Sequence, residues 1–194
     1  MSKQTKILAF AGSLRQYAYS KRVLQVAIDG AKHAGADVTF LDLNEFPIPI
    51  FNADDVKKKG FDPLVLQLQN LLSESHGLLI ATPSYNGSIP AAFKIVIDWM
   101  SRPNYQFKKE DLFIGKTAGI LSSSPGSLGG VRALAHLRGV LTSVNVNVIP
   151  LEIAVPFVAN KFNGDSYEIN EKQTQEALEN FGKNVVNAVY KSKL

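Results

Sequence analysis

The chain has no cysteine among its 194 residues. That absence excludes disulfides, thiolate metal ligands and a thiol nucleophile, so any redox chemistry must be carried by a bound cofactor. Histidine is scarce, with three residues. His33 and His76 fall at expected helix ends and His136 inside a helix, which marks all three as structural rather than catalytic. Charge of one sign is also in short supply: 21 Lys and Arg against 17 Asp and Glu give a formal net charge of +4. The positive residues are scattered or in short runs such as Lys57-Lys58-Lys59, read here as a solvated face. No basic stripe interleaved with aromatics exists, so no nucleic-acid partner is expected. The mild positive bias would favour phosphorylated ligands. No apolar run approaches about 18 residues, so no membrane span is expected. Met1 to Lys6 carries no apolar signal region, and the expected location is cytoplasmic. There is no internal repeat, linker or low-complexity segment, and the length suits a single domain over 1–194.

What is present is a strand-loop-helix pattern with three unusual loops. Ile7 to Ala11 is an apolar run fit for a buried strand. Gly12-Ser13-Leu14-Arg15 follows, and Ser20 opens a segment with helical spacing at Val23, Val26, Ala27 and Ala31. Free N–H groups and the dipole at a helix N-terminus attract anions. Hydroxyls from Ser13 and Ser20 and the planar fork of Arg15 would complete a phosphate cradle. The plain alternative is that Ser20 caps the helix and Arg15 is solvated.

The second loop, Thr82 to Pro90, leaves the end of an apolar strand at Gly77–Thr82 and leads into a helix. Ligands of open parallel sheets bind at that edge. Pro83 and Ser84 stiffen and line the turn. Asn86-Gly87 permits positive φ and turns backbone N–H groups outward, and Tyr85 can cover a planar ring. The third loop, Ser122 to Gly130, follows a strand at Lys116–Leu121 and has the same character. Ser122, Ser124 and Gly126 would let backbone approach a flat ligand closely. Together the three loops would form one rim.

Between these loops, helices are expected up to Ala34, over 63–75, 91–101, 131–143 and 171–191, with further strands at Val38–Leu43 and Asn145–Ile149. Residues 44–63, with Pro47, Pro49 and Pro63, read as one long irregular connection packed on a site rim, a partner subunit or its own domain. The helix at 91–101 carries Phe93, Ile97 and Trp99, apolar area broad enough to cover a second subunit or to be ordinary core.

Five strands alternating with helices, with ligand loops after the first, third and fourth, are similar to the flavodoxin-like three-layer sandwich, an α/β fold with a five-stranded parallel sheet of order 2-1-3-4-5. The three loops, with Lys94 and Asp98-Trp99, resemble the NADPH-dependent FMN reductase family, which includes quinone, azo-dye and chromate reductases. The resemblance implies a bound FMN. Its phosphate would lie on Ser13, Arg15 and Ser20 and on the backbone around Ala18 and Tyr19. Its ring would lie on Pro83, Ser84, Tyr85, Asn86 and Gly87, with Ser122, Ser124 and Gly126 along the other edge. Ala18 stands where the family often has serine, so one phosphate hydroxyl is missing. The resemblance further implies a ping-pong cycle: NADPH or NADH as co-substrate reduces the flavin, and a quinone, azo compound, free flavin or metal oxyanion is the small-molecule electron acceptor. No catalytic side chain and no metal would be needed, and a homodimer or homotetramer would form through the helix holding Lys94. Two alternatives stay open: a flavodoxin-type electron carrier, whose members are typically more acidic than this chain, and a flavin-binding redox sensor.

Overall fold

Residues 4–192 are described by a computed structural model. The strand β1 (Lys6–Ala11) is buried from Ile7 onward. Its alternate residues serve two separate cores, as a period of two requires. Ile7, Ala9 and Ala11 face one core, and Leu8 and Phe10 face the other. β1 lies between β2 (Asp37–Leu41) and β3 (Gly77–Pro83), with Ile7 paired to Val38 and to Gly77. β3 pairs in parallel with β4 (Thr117–Ser123), and the sheet continues to β5 (Asn147–Val148). The order β2-β1-β3-β4-β5 is the one expected, and it is flavodoxin-like. Helices α1 (Tyr19–His33) and α6 (Lys172–Lys191) cover one face of the sheet. Helices α3 (Pro63–Glu74), α4 (Ala91–Met100) and α5 (Val131–Ser143) cover the other.

The outer strand is not one continuous piece, contrary to the expected Asn145–Ile149. After β5 the chain leaves the ladder at Pro150, which has no N–H to donate. It resumes as β6 (Ile153–Val155), also parallel to β4, with Leu121 opposite Ile153. The guanidinium of Arg138 fills the break. It donates to the carbonyls of Val148 (3.2 Å) and Ile149 (2.9 Å) and to Glu152 Oε2 (2.8 Å).

The 44–63 connection also differs from expectation, because it contains helix α2 (Ala53–Lys59). Asn52 caps it through Oδ1, which accepts from the N–H of Asp54 (2.9 Å). Asp54 and Asp55 sit in the first turn and the three lysines in the last, as the helix dipole favours. α2 buries no residue, so no apolar periodicity announced it. β2 is shorter than read, since Asp42 caps a 3-10 turn at Leu43–Glu45. The rest of the connection folds onto its own domain. Trp99 is buried, donates through Nε1 to Pro49 O (2.7 Å), and packs edge-on against Phe51 and Phe61. Trp99 is therefore core.

The sheet's N-terminal end holds a titratable group in an unusual state. Lys116 donates through Nζ to Ser75 O (2.6 Å), and burial pulls its pKa down to about 8. A lysine whose pKa is lower folded than unfolded binds fewer protons in the native state between those two values. Stability should therefore rise with pH from about 8 toward the ordinary lysine value. Lys116→Met should remove that rise, which is on the order of 1–2 kcal/mol after allowance for partial exposure. Urea denaturation of both proteins at pH 7.5 and pH 10 checks this. Equal pH dependence in the two would contradict it. Among the described residues, no helix is long and apolar enough to cross a membrane.

Candidate flavin site

The three loops do converge, because parallel pairing brings the C-terminal ends of β1, β3 and β4 to one edge. The first loop returns to the sheet at once, since the N–H of Gly12 donates to Ala81 O (2.9 Å). Ser13 is buried, and its Oγ accepts from the N–H of Arg15 (3.3 Å). The same Oγ lies 3.4 Å from the hydroxyl of Tyr85, which ties the first loop to the second. Arg15 is exposed. Ala18 occupies the N-cap of α1 in extended conformation, with no side-chain cap. The first amides of α1 therefore have no cap to bond to. Ser20 does not cap the helix. Its Oγ is buried and has no hydrogen-bond partner. A buried hydroxyl left unpaired costs roughly 1–3 kcal/mol, and an anion at this helix terminus would satisfy it. The cradle thus fits a phosphate. The Tyr19 ring stacks on Phe162, which leaves only the backbone of Tyr19 for the cradle.

The second loop is a two-residue reverse turn. Tyr85 and Ser88 exchange both backbone bonds (2.9 and 3.0 Å), and Asn86 and Gly87 have φ of 51° and 81°. Positive φ at both central residues is the type I′ turn that Asn-Gly favours. The amides of Asn86 and Gly87 take no part in closing the turn, which leaves them for a ligand. Tyr85 is half exposed above the turn. His136 holds the turn from α5, with Nδ1 2.9 Å from Ser88 Oγ, in keeping with a structural role. His76 is likewise structural: its Nδ1 accepts from the N–H of Lys6 (2.8 Å).

The third loop is built from inside. Ser122 donates through Oγ to Gly129 O (2.8 Å) and is fully buried, so its hydroxyl shapes the loop rather than facing the rim. Gly130, with φ of 90°, brings its Cα over that contact, and a Cβ there would lie 2.9 Å from Ser122 Oγ. Ser124 Oγ accepts from the N–H of Gly126 (3.2 Å). Ser84, Gly87, Ser124, Gly126 and Arg132 then line a cavity of about 250 Å³ between the second and third loops. Pro83 ends β3, one residue before Ser84 of that lining.

Three parts of this edge were missed in the sequence. β6 and the residues after it brace the third loop. The N–H of Ser124 donates to Val155 O, while those of Phe157 and Val158 donate back to Gly126 O and Ser124 O. Lys21, 3% exposed, donates to both carboxylate oxygens of Asp42 (2.7 and 2.8 Å) beside the cradle. Arg22, in the first turn of α1, is buried with its guanidinium 3.9 Å from the Phe162 ring centroid, and desolvation lowers its pKa below the ordinary value. Only the opposite charges of Asp42 and Lys21 could have hinted at one of these pairs.

Residues 5–160 match the NADPH-dependent FMN reductase family. The chain belongs to that family. It is 35% identical over 173 residues to an NAD(P)H-dependent FMN reductase of Pseudomonas aeruginosa, covering 89% of each chain. It is 30% identical over 183 residues to a quinone reductase of Escherichia coli, covering 92% of each. Among solved structures it is similar to FerB, a flavoenzyme NAD(P)H:(acceptor) oxidoreductase of Paracoccus denitrificans. The TM-score is 0.79 at 25% identity, over 96% of this chain and 98% of that one. This reductase is accordingly an FMN-dependent NAD(P)H oxidoreductase, and the cradle and turn described above fit that cofactor.

Proposed function

We propose that the reductase passes electrons from NAD(P)H to small quinones, with FMN held by the three loops. The observation that carries this reading is the buried, unpartnered Ser20 Oγ at the uncapped start of α1, which ends the loop whose Ser13 Oγ lies 3.4 Å from the Tyr85 hydroxyl beside the Asn86-Gly87 turn. Bound FMN supplies the hydride chemistry. Ser13, Ser20, the first amides of α1 and Arg15 bind its phosphate, and backbone amides stand in for the hydroxyl that Ala18 lacks. With FMN bound, the amides of Asn86 and Gly87 would be free to donate to its ring system, a fixed arrangement that needs no reorganisation. Pro83 and Ser84 line one side, Ser124 and Gly126 the other, and Ser122 keeps the third loop in shape. No side chain is required as nucleophile or base. A quinone acceptor is supported by the names of the relatives. The open face above Tyr85 would serve the reductant and the acceptor in turn.

We read the chain as one domain acting in the cytoplasm, where NAD(P)H is supplied, and as a homodimer or homotetramer. Its contact would run along the cavity of about 610 Å³ between α4 and α5, which Ile89, Ala135 and Val140 line with apolar surface. Lys94 lines it as well and pairs with Asp98 at 2.6 Å, a partly exposed ion pair worth little alone.

Arg15→Ala tests the phosphate assignment. Charge-assisted bonds of this kind contribute roughly 1.5–3 kcal/mol, so FMN affinity should fall about 10- to 100-fold while the circular dichroism spectrum is unchanged. Full FMN retention would remove Arg15 from the site.

A further inference from the structure

We propose that the cleft outside the phosphate loop, between α1 and the end of β2, is a subsite for the adenosine 5′-phosphate moiety of a nucleotide. The proposal rests on the reading that residues 13–20 hold a phosphate. The cleft encloses about 420 Å³, within the range of roughly 300–1,000 Å³ usual for small-ligand sites. Three half-exposed aromatic rings border it: Tyr17 from the phosphate loop, Phe40 from β2, and Tyr167 from the segment before α6. Single exposed aromatics are ordinary. Three from separate parts of the chain around one opening offer faces on which a planar base can stack.

The polar groups match the rest of the moiety. Lys21 and Asp42 are part of the lining. Both Asp42 oxygens accept from Lys21, and Oδ1 also accepts from the N–H of Asn44 (3.0 Å). Oδ2 keeps acceptor capacity, and the carboxylate is partly open. An acid just past the second strand, beside a phosphate loop after the first, is placed where dinucleotide-binding sheets hold ribose hydroxyls. Gln16 and Gln25 bring amide groups for a base edge. Gln25 donates to Asp29 Oδ1 (3.0 Å), which leaves its own carbonyl oxygen directed elsewhere. Gln16 and Tyr17 lie between Arg15 and Ala18, so the cleft and the phosphate cradle are two sides of one loop. The far wall is anchored, because Arg22 donates to Gly164 O (3.0 Å) and lies over Phe162. Two sources share this chemistry: the adenylate half of FAD bound in place of FMN, and the adenylate half of NADH or NADPH.

The test uses the FMN-loaded protein titrated with AMP by calorimetry, with visible absorbance recorded first to establish flavin content. Saturable AMP binding, weakened about tenfold in Phe40→Ala and in Tyr167→Ala at unchanged flavin content, is the expected result. A raised KM for NADH with kcat unchanged in the same variants would assign the subsite to the reductant. Preference of the apoprotein for FAD over FMN, lost in the variants, would assign it to the flavin. AMP binding that is absent, or equal in wild type and variants, with flavin present overturns the subsite alone. A protein that neither carries nor takes up flavin overturns both the subsite and the flavin-site reading beneath it.

Discussion

Gly87→Val should cost the reductase its flavin. Gly87 has φ of 81°, and the nearest atom to a built Cβ is Arg132 Cδ at 3.8 Å. There is room for a side chain, so the penalty is conformational. A β-branched residue in the left-handed region costs about 1–3 kcal/mol. The turn can relieve that cost only by rotating the Asn86 and Gly87 amides away from the ring they are proposed to meet. Loss of both donors together with the strain should weaken FMN binding roughly a hundredfold or more. Gly87→Asn, which tolerates positive φ, should retain most of the affinity. Fluorescence titration of the two apoproteins with FMN separates them. Equal affinity would show that the turn amides do not hold the ring.

The largest effect on stability is expected at Gly182. Helices α1 and α6 cross in close contact, and a Cβ on Gly182 would lie 1.9 Å from Ala27 O. That neighbour is backbone, so it cannot rotate aside, and the helices would have to separate. Alanine improves helix propensity by about 1 kcal/mol, yet overpacking of this severity exceeds the usual 1–3 kcal/mol. We expect Gly182→Ala to destabilise by about 3 kcal/mol net, lowering Tm by roughly 6–12 °C. Gly30→Ala, whose Cβ would meet Glu179 O at 2.0 Å, strains the same crossing from the other side. The double variant should therefore lose less than the sum of the two. Thermal denaturation followed by circular dichroism measures all three. A Gly182→Ala protein as stable as wild type would contradict the packing described here.

These two glycines mark what can and cannot be read from a chain. Gly87 was legible because Asn-Gly after an apolar strand has a local conformational meaning that no distant contact is needed to supply. The buried parallel strands were legible for a similar reason: Leu78 to Ala81 and Ala118 to Leu121 are apolar on both faces of the sheet. Gly182 was not legible, because its importance lies in Ala27, 155 positions earlier. The same holds for Arg138, whose fork repairs the break between β5 and β6, and for Arg22, buried against a ring 140 positions away. α2 escaped notice because its stability comes from Asn52 and from charge at its ends rather than from an apolar face. In the cradle, Ser13, Arg15 and Ser20 could be listed as candidates from their spacing. Only the fold could show that Ser20 Oγ lacks a partner, or that the Ser122 hydroxyl is occupied by Gly129.

The most direct measurement is the visible spectrum of the purified protein, recorded anaerobically before and after NADPH and again after a quinone. The account predicts a yellow protein that bleaches on NADPH and regains its colour with the quinone. A yellow protein that stays yellow with both NADPH and NADH, or a colourless one that takes up no FMN, would contradict it.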